Sequence, residues 1–338
     1  MQIFENYSLK KKNSFGLNSI AKRYIAIESR DDFTKLRDYI DIDNYILLGG
    51  GSNVVLPEFI DGTVVEILID EISYTENSDS SRIIKVDAGV VWDIFVRKSI
   101  EIGAYGFENL AAIPGKVGAA PIQNIGAYGI EQAKYFESLE AFDLKTGVVI
   151  NMVNNDCEFA YRNSFFKKNK HDLIITSVTY KFADWKPVVN YKDVTEELKN
   201  YNSGEISPHL IYELITKIRS RKLPNPEIEG NAGSFFKNPV LPVSEYHSLI
   251  ASYPDLTGNP DGENIKISAA KLIEKAEWKG KGLNDDSRII VSPRHSLVLI
   301  NLGGGTYKEI FDLSAAIIED VKNKFGISLE REVNIIPS

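Results

Sequence analysis

Apolar positions along the first half of the chain come in short bursts that switch between two periods. Tyr45-Ile-Leu-Leu48 is an unbroken apolar run of strand length, and it leads straight into Gly49-Gly50-Gly51-Ser52-Asn53. Residues 62–69 and 83–86 also read as strands, with the polar, serine-rich 76–81 between them as an exposed turn. Helical spacing opens at Ser29-Arg-Asp-Asp32, a capping-box pattern, and runs to about Ile40; a second helix spans 92–102 and stops at Gly103. Strand-rich sequence returns at 138–151 and again at Leu173–Phe182.

The pattern changes near Asp184. Ser207-Pro208 is an N-cap and first-turn pair, and the helix it opens carries Arg219, Arg221 and Lys222 at its end. Leu223-Pro224-Asn225-Pro226 breaks that helix and marks the entry to a second lobe. Helices are predicted there near 244–251 and 268–277, and a strand at 296–300. A final helix enters through Thr306-x-x-Glu309 and ends at Gly326, after Lys322 and Lys324. No repeat or low-complexity run interrupts this order, which reads as α+β. The stretch 103–129, GAYGFENLAAIPGKVGAAPIQNIGAYG, fits neither period. Its scarcity of charge predicts a packed loop rather than a solvated linker.

Composition narrows the field. A chain of 338 residues exceeds one comfortable core, so two or three lobes are expected. A net charge of -8 argues against a general nucleic-acid binder and leaves small anions to local Lys and Arg clusters. With Cys157 as the lone cysteine, neither an intrachain disulfide nor a cysteine metal cluster can form. MQIFENYSLKKKNSFGL lacks the apolar core of a signal peptide, and no apolar run approaches the roughly 18 residues that span a bilayer. The expectation is a cytoplasmic protein that works away from membranes.

Several chemistries drop out by spacing. His171, His209, His247 and His295 are scattered without a His-Glu-x-x-His pair, so no metal site is expected. Neither Gly-x-Ser-x-Gly nor a Walker A loop occurs. Gly49-x-Gly51 puts Val54 where a dinucleotide fingerprint needs its third glycine, and Pro57 blocks the following helix. Gly303-Gly304-Gly305 fails likewise, with Lys308 at the third position. What remains is a phosphate cradle outside that fold: glycine backbone N–H groups turned to one anion, helped by Ser52 and Asn53. Alone this motif reads more readily as a plain tight turn. The second glycine-rich stretch, 114–129, suggests one large phosphate-bearing ligand; the alternative is two unrelated packed turns.

Five segments in order resemble the UDP-N-acetylenolpyruvoylglucosamine reductase (MurB) family of peptidoglycan synthesis. They are Gly-Gly-Gly-Ser-Asn at 49–53, IPGKVGAAPIQNIGAYG at 113–129, Tyr161-Arg162-Asn163-Ser164, GNAGSFFKNP at 230–239 and Leu329-Glu-Arg-Glu-Val333. Pro121-Ile-Gln-Asn-Ile-Gly together with Tyr191 is similar to the subgroup that carries a tyrosine-bearing substrate loop. The resemblance implies an FAD-binding lobe of the vanillyl-alcohol-oxidase (PCMH) type at 1–184, with its core at about 17–184. A connecting segment with the substrate loop would follow at 185–222, then a C-terminal α+β substrate-binding domain at 223–326 and a strand carrying Glu332 at 327–338. It implies FAD as carrier, NADPH as hydride donor, the enolpyruvyl ether of UDP-N-acetylglucosamine as substrate, UDP-N-acetylmuramate as product, and a monomer.

By that resemblance Ser234 is the proton donor, Arg162 holds the carboxylate or enolate oxygens in a fork, and Glu332, kept protonated by burial, donates a hydrogen bond to the same oxygens. Gly49, Gly50, Gly51, Ser52, Asn53, Pro114, Gly115, Gly118, Gln123, Asn124, Gly126, Ala127 and Tyr128 would hold the cofactor, and Tyr191, Lys222 and Asn238 the substrate. Each has a plainer reading by itself. Ser234 would be a turn serine, Arg162 a surface or cap arginine, Glu332 an exposed strand acid, Tyr191 a ring over the core, and 219–222 a helix end satisfying its dipole. Two other functions stay in play: a flavin-dependent oxidase on the same FAD fold, and a nucleotide-sugar binder without activity. The chain departs from the family in two places. Arg331 stands where proline often separates the two final acids, and Gly50 where glutamate is common.

Overall fold

The structure, a computed structural model, describes residues 1–168 and 172–337; His171 lies outside them. Contacts gather into two compact units. One comprises Met1–Tyr7, Ala21–Gly50 and Asp61–Arg221, the other Ser8–Ile20, Gly51–Ile60 and Lys222–Ser338. Linear boundaries after 184, 222 and 326 therefore differ from the observed grouping. Residues 185–221 stay with the first unit, and two early segments join the second. Sequence order does not reveal such an exchange, because the pairing that draws an early segment away is made by residues far along the chain.

In the first unit a four-stranded sheet runs in the order Gln2–Ser8, Ile20–Ile27, Phe59–Ile67, Tyr45–Leu48. Its last two strands are parallel, with Tyr45 opposite Thr63 and Leu48 opposite Glu66. A five-stranded antiparallel sheet follows the order Val149–Val153, Phe136–Asp143, Leu173–Phe182, Arg82–Asp87, Ile72–Glu76. The predicted 138–151 run is thus a hairpin, turned at Gly147 with φ +75. The helix predicted from Ser29 is only Asp32–Leu36. Asp32 does take the backbone N–H groups of Glu28 and Ser29, each at 3.0 Å. Beyond it, however, Asp41 accepts the N–H of Asp43 at 3.0 Å, and such local side-chain bonds compete with helix propagation.

Helix Trp92–Glu101 forms as the apolar spacing predicts, burying Trp92, Phe95, Val96 and Ile100 and ending at Gly103 with φ +75. The loop that follows is packed. Ala104, Phe107, Leu110, Ala111 and Val117 are all fully buried. Phe107 sits edge-on to Phe95, Tyr135, Tyr180 and Phe182, with ring centroids 5.0 to 5.9 Å away. Each such side chain contributes about 1.5–3 kcal/mol of burial, enough to make this irregular segment an anchor. Helix Pro208–Lys222 turns Ile211, Ile215 and Ile218 onto Ala111 and Val194. Ser207 Oγ accepts the N–H of Leu210 at 3.2 Å, as an N-cap should.

The second unit packs Phe15, Val55, Phe235, Phe236 and Leu272 against Ile310, Leu313 and Ile317 of helix Tyr307–Phe325. The predicted capping box is formed: Glu309 N–H donates to Thr306 Oγ1 at 3.2 Å, and Thr306 N–H to Glu309 Oε2 at 2.8 Å. Gly326, φ +71, closes the helix with a bond to Lys322 O. Helices Val243–Ser252 and Ala269–Lys275 lie close to their predicted spans, and the predicted strand at 296–300 is Leu299–Asn301, paired with Ile289–Val291. A three-stranded sheet of Val240–Pro242, Asn264–Ile267 and Gly258–Asp261 has no counterpart in the hydrophobic pattern, since its strands contain Pro242, Pro260 and turn-type residues. Among the described residues no helix is long and apolar enough to cross a membrane.

Candidate functional site

The strand Tyr45–Leu48 ends at Gly49 and Gly50, where the two glycine-rich stretches meet. A Cβ on Gly50 would fall 2.8 Å from Gly115 Cα, and one on Gly49 would fall 3.3 Å from Ala119 Cβ. The loops touch backbone to backbone, so they are not unrelated turns. The departure at Gly50 has a direct steric meaning here: any side chain at that position, glutamate included, would push the Gly115 backbone away. Gly118 is similarly constrained, since its Cβ would lie 2.6 Å from Ala88 Cβ. Pro114, in the same stretch, is exposed.

A cavity of about 480 Å³ opens at this junction, lined by Tyr45, Leu47, Gly49, Lys116, Gly118 and Ala119 among others. Lys116 Nζ donates to Glu66 Oε1 and to Ile67 O, both at 2.7 Å, which ties the second loop to the neighbouring strand. Glu66 also accepts the Tyr24 hydroxyl; burial, then that bond, holds the Tyr24 phenol well above its ordinary pKa.

The remainder of the 49–53 motif belongs to the second unit. Gly51 has φ +62, and a Cβ on it would sit 1.9 Å from Lys12 O, so only glycine fits. Asn53, expected to help hold the cofactor, also meets the C-terminal segment. Its O accepts the N–H of Asn334 at 3.1 Å, and its side-chain nitrogen donates to Glu332 O at 3.5 Å. Ser52 is half-buried.

Residues 123–128 form a tight structure in the first unit. Gly126–Ala127 pairs with Ile130–Glu131 around Tyr128 and Gly129, whose φ values of +47 and +84 suit a primed hairpin turn. Asn124 is buried and left-handed. Its carboxamide donates to Glu131 Oε2 at 2.8 Å and accepts Ala133 N–H at 3.1 Å, which fixes the loop. Gln123 beside it is half-buried. Arg162 occupies a two-residue turn closed by reciprocal Ala160–Asn163 backbone bonds of 3.1 and 3.0 Å. Its φ is +50, a conformation costing about 1 kcal/mol or more, and such strain gathers at functional sites. One guanidinium nitrogen donates to Gly126 O at 2.6 Å, while Ser164 Oγ donates to Ile122 O at 2.6 Å, which stitches the two segments together.

Tyr191 precedes helix Lys192–Leu198, is 48% exposed, and sets its ring edge-on to Tyr128 at 5.2 Å. Burial raises the Tyr128 phenol pKa, with Arg219 acting in the opposite direction. Sequence reading missed a device nearby. Ala112 is left-handed at φ +55; its N–H donates to Asp93 Oδ1 at 2.6 Å and its O accepts from Arg219 Nε at 3.3 Å. Ala112, two residues before Pro114, is held through both of its backbone groups, and no spacing rule links Asp93 to Arg219.

In the second unit Asn231 shapes the approach to Ser234. Its side chain donates to Glu229 O at 2.7 Å and accepts the N–H of Gly233, φ +69, at 2.9 Å. The next residues bridge two other segments of the unit. Phe235 N–H donates to Leu297 O at 2.7 Å, Glu332 N–H to Phe235 O at 2.8 Å, and Lys237 N–H to Glu330 O at 2.9 Å. Ser234 bridges Val298 while Glu332 bonds to Phe235, so half-buried Ser234 and Glu332 both flank Phe235, from segments 98 residues apart in sequence. Asn238 Oδ1 accepts Ala269 N–H at 2.9 Å, and Lys222 ends helix Pro208–Lys222. Among the described residues no three His, Cys, Asp or Glu side chains gather in a metal-binding group.

Comparison with known proteins accounts for both units. Residues 21–152 match the FAD binding domain family, and residues 225–336 match the UDP-N-acetylenolpyruvoylglucosamine reductase C-terminal domain. A UDP-N-acetylenolpyruvoylglucosamine reductase of Polynucleobacter asymbioticus is 38% identical over 99% of this chain and 97% of its own length. One from Shewanella sp. (strain MR-4) is 40% identical over 98% and 96%. The fold matches a crystal structure of UDP-N-acetylenolpyruvylglucosamine reductase from Thermus caldophilus, 21% identical, with a TM-score of 0.68 over 99% of this chain and 98% of that one. With an FAD-binding domain, a reductase C-terminal domain and relatives matched end to end, the chain belongs to the UDP-N-acetylenolpyruvoylglucosamine reductase family.

Proposed function

We infer that this chain reduces the enolpyruvyl double bond of UDP-N-acetylglucosamine enolpyruvate, giving UDP-N-acetylmuramate for peptidoglycan synthesis, with FAD as carrier and NADPH as co-substrate. The observation that carries this reading is the end-to-end identity with reductases of that name. The protein is taken to act as a cytoplasmic monomer on a free nucleotide sugar. Bound FAD would supply two-electron transfer between NADPH and the substrate.

The residues present fit FAD. Gly50 and Gly115 meet where a Cβ would intrude, which leaves backbone N–H groups free to approach a pyrophosphate, and the adjoining cavity of about 480 Å³ has apolar and polar walls. Gly49, Gly50, Pro114, Gly115, Gly118 and the 123–128 turn would hold it. Asn124 contributes by fixing that turn, and Asn53 by fixing the segment that carries Glu332.

Reduction puts hydrogen on the terminal vinyl carbon and leaves negative charge on the carbon beside the carboxylate. Arg162 is suited to that charge because its strained turn and its bond to Gly126 O aim the guanidinium before substrate arrives. Glu332 is assigned to the same oxygens, and Ser234 gives its proton to the carbon. Serine is a weak acid, so it serves only once a strongly basic enolate has formed. Tyr191, Lys222 and Asn238 are assigned to the nucleotide-sugar portion.

Anaerobic mixing tests the whole reading. NADPH should bleach the flavin, and UDP-N-acetylglucosamine enolpyruvate should restore its colour with one product per flavin. A flavin that NADPH leaves yellow, but that an alcohol bleaches and dioxygen restores, would make the chain an oxidase instead.

A further inference from the structure

The acid assigned to the enolate lies just before the short strand Asn334–Ile335, and its neighbour Arg331 is the residue that departs from the family pattern. Its surroundings show what that arginine does. Arg331 Nε donates to Ser314 Oγ at 2.8 Å, and Ser314 is fully buried on helix Tyr307–Phe325. Ser314 Oγ in turn donates to Phe311 O at 2.8 Å, so the serine is committed in both directions and its rotamer is fixed. The guanidinium carbon lies 4.9 Å from the centre of the Phe311 ring, with a long contact of 3.5 Å to Phe311 O. One side chain therefore meets three separate features of a 19-residue helix.

The backbone on either side is laddered: Lys237 N–H reaches Glu330 O, and Glu332 N–H reaches Phe235 O. Arg331 pairs with Phe236 across this ladder, and its own N–H makes no ladder bond. A proline at this position would forfeit no backbone ladder bond and would fix φ. Arginine fixes the same peptide from outside, through its side chain.

We propose that Arg331 is a positioning residue: clamped by Ser314 and Phe311, it holds the segment so that Glu332 keeps a fixed aim. This rests on the reading of Glu332 as donor to the enolate oxygens, so the test treats the two separately. The holoenzyme is reduced with NADPH without air and mixed with UDP-N-acetylglucosamine enolpyruvate. Arg331→Ala, Arg331→Pro, Ser314→Ala and Glu332→Gln are compared with the parent, and amide hydrogen exchange is followed at Glu332.

Arg331→Ala should bleach normally with NADPH but recolour with substrate about 10–100-fold more slowly, the scale on which small misplacements act, and should exchange the Glu332 amide faster. Arg331→Pro should recover most of the recolouring rate and the amide protection, a rescue that lost packing would not give. Ser314→Ala should show a smaller slowing in the same step, and it remains informative if Arg331→Ala does not fold. If Arg331→Ala and Ser314→Ala recolour at the parent rate while Glu332→Gln is slow, the positioning role is overturned and the role of Glu332 stands. If Glu332→Gln recolours at the parent rate, the reading of Glu332 itself fails.

Discussion

The loops of the first unit and the ladder of the second bring residues together by opposite means. Around Gly50 and Gly115 the arrangement depends on atoms that are missing: two backbones approach to a distance that no side chain permits. Around Ser234 and Glu332 it depends on bonds that are made, with Phe235 held between Leu297 on one side and Glu332 on the other. Steric permission leaves its mark in the local sequence as glycine. Backbone pairing leaves almost none, because any residue has an N–H and a C=O to offer. Damage should therefore differ: side-chain growth harms the first region, while loss of one functional group or of its alignment harms the second.

The largest effect should come from removing chemistry without disturbing the ladder. Ser234→Ala should leave NADPH bleaching of the flavin near the parent rate and slow substrate-driven recolouring by about 10²–10⁴-fold, the range of general acid catalysis. Near-parent turnover in stopped-flow would remove Ser234 from its role. Next, Gly51→Ala should destabilise by about 3 kcal/mol or more, because it combines a left-handed φ with a Cβ 1.9 Å from Lys12 O. A denaturant midpoint within error of the parent would show that the steric account is wrong. Gly50→Ala sharpens the contrast: its loss should appear in FAD affinity after flavin removal, more than in the unfolding midpoint.

Arg162→Lys keeps the charge but loses the planar fork, and should weaken substrate use about 10-fold or more in kcat/KM while leaving the NADPH half-reaction intact. Smallest should be Thr306→Ala, whose side chain bonds to Glu309 within its own helix turn. It opens the capping box of helix Tyr307–Phe325 at a cost of about 1 kcal/mol, visible in a melting curve and absent from either half-reaction.

What could be read from the chain follows the same division. Thr306 with Glu309, Gly103 after its helix and the packed 103–129 stretch were legible because their causes lie within a few residues. Asn124 and Asn53 were not. Their residue type suited a ligand, yet their partners are Glu131 and Ala133 in one case, and Glu332 and Asn334, nearly the length of the protein away, in the other. Arg162 was legible as a residue but not as a strained turn, and Ala112, pinned by Asp93 and Arg219, gave no signal since alanine seldom marks a left-handed position. Arg331 was legible only as a departure where proline is often found. Its bond to Ser314 is the compensation, and only the folded helix reveals it.

The parallel pairing of Val54–Val55 with Asn334–Ile335 has a consequence for biosynthesis. While the ribosome is still adding residues, Val54 and Val55 have emerged but their partner does not yet exist. Roughly 280 residues, or about 14–56 s at 5–20 residues per second, must be translated before the strand can close. The first unit has all its segments by Arg221 and can fold on the nascent chain, whereas the second must wait with an exposed early edge. That interval is when a chaperone would have most to protect, and when a premature stop near the end would leave a fold-competent flavin unit attached to an unfinished partner.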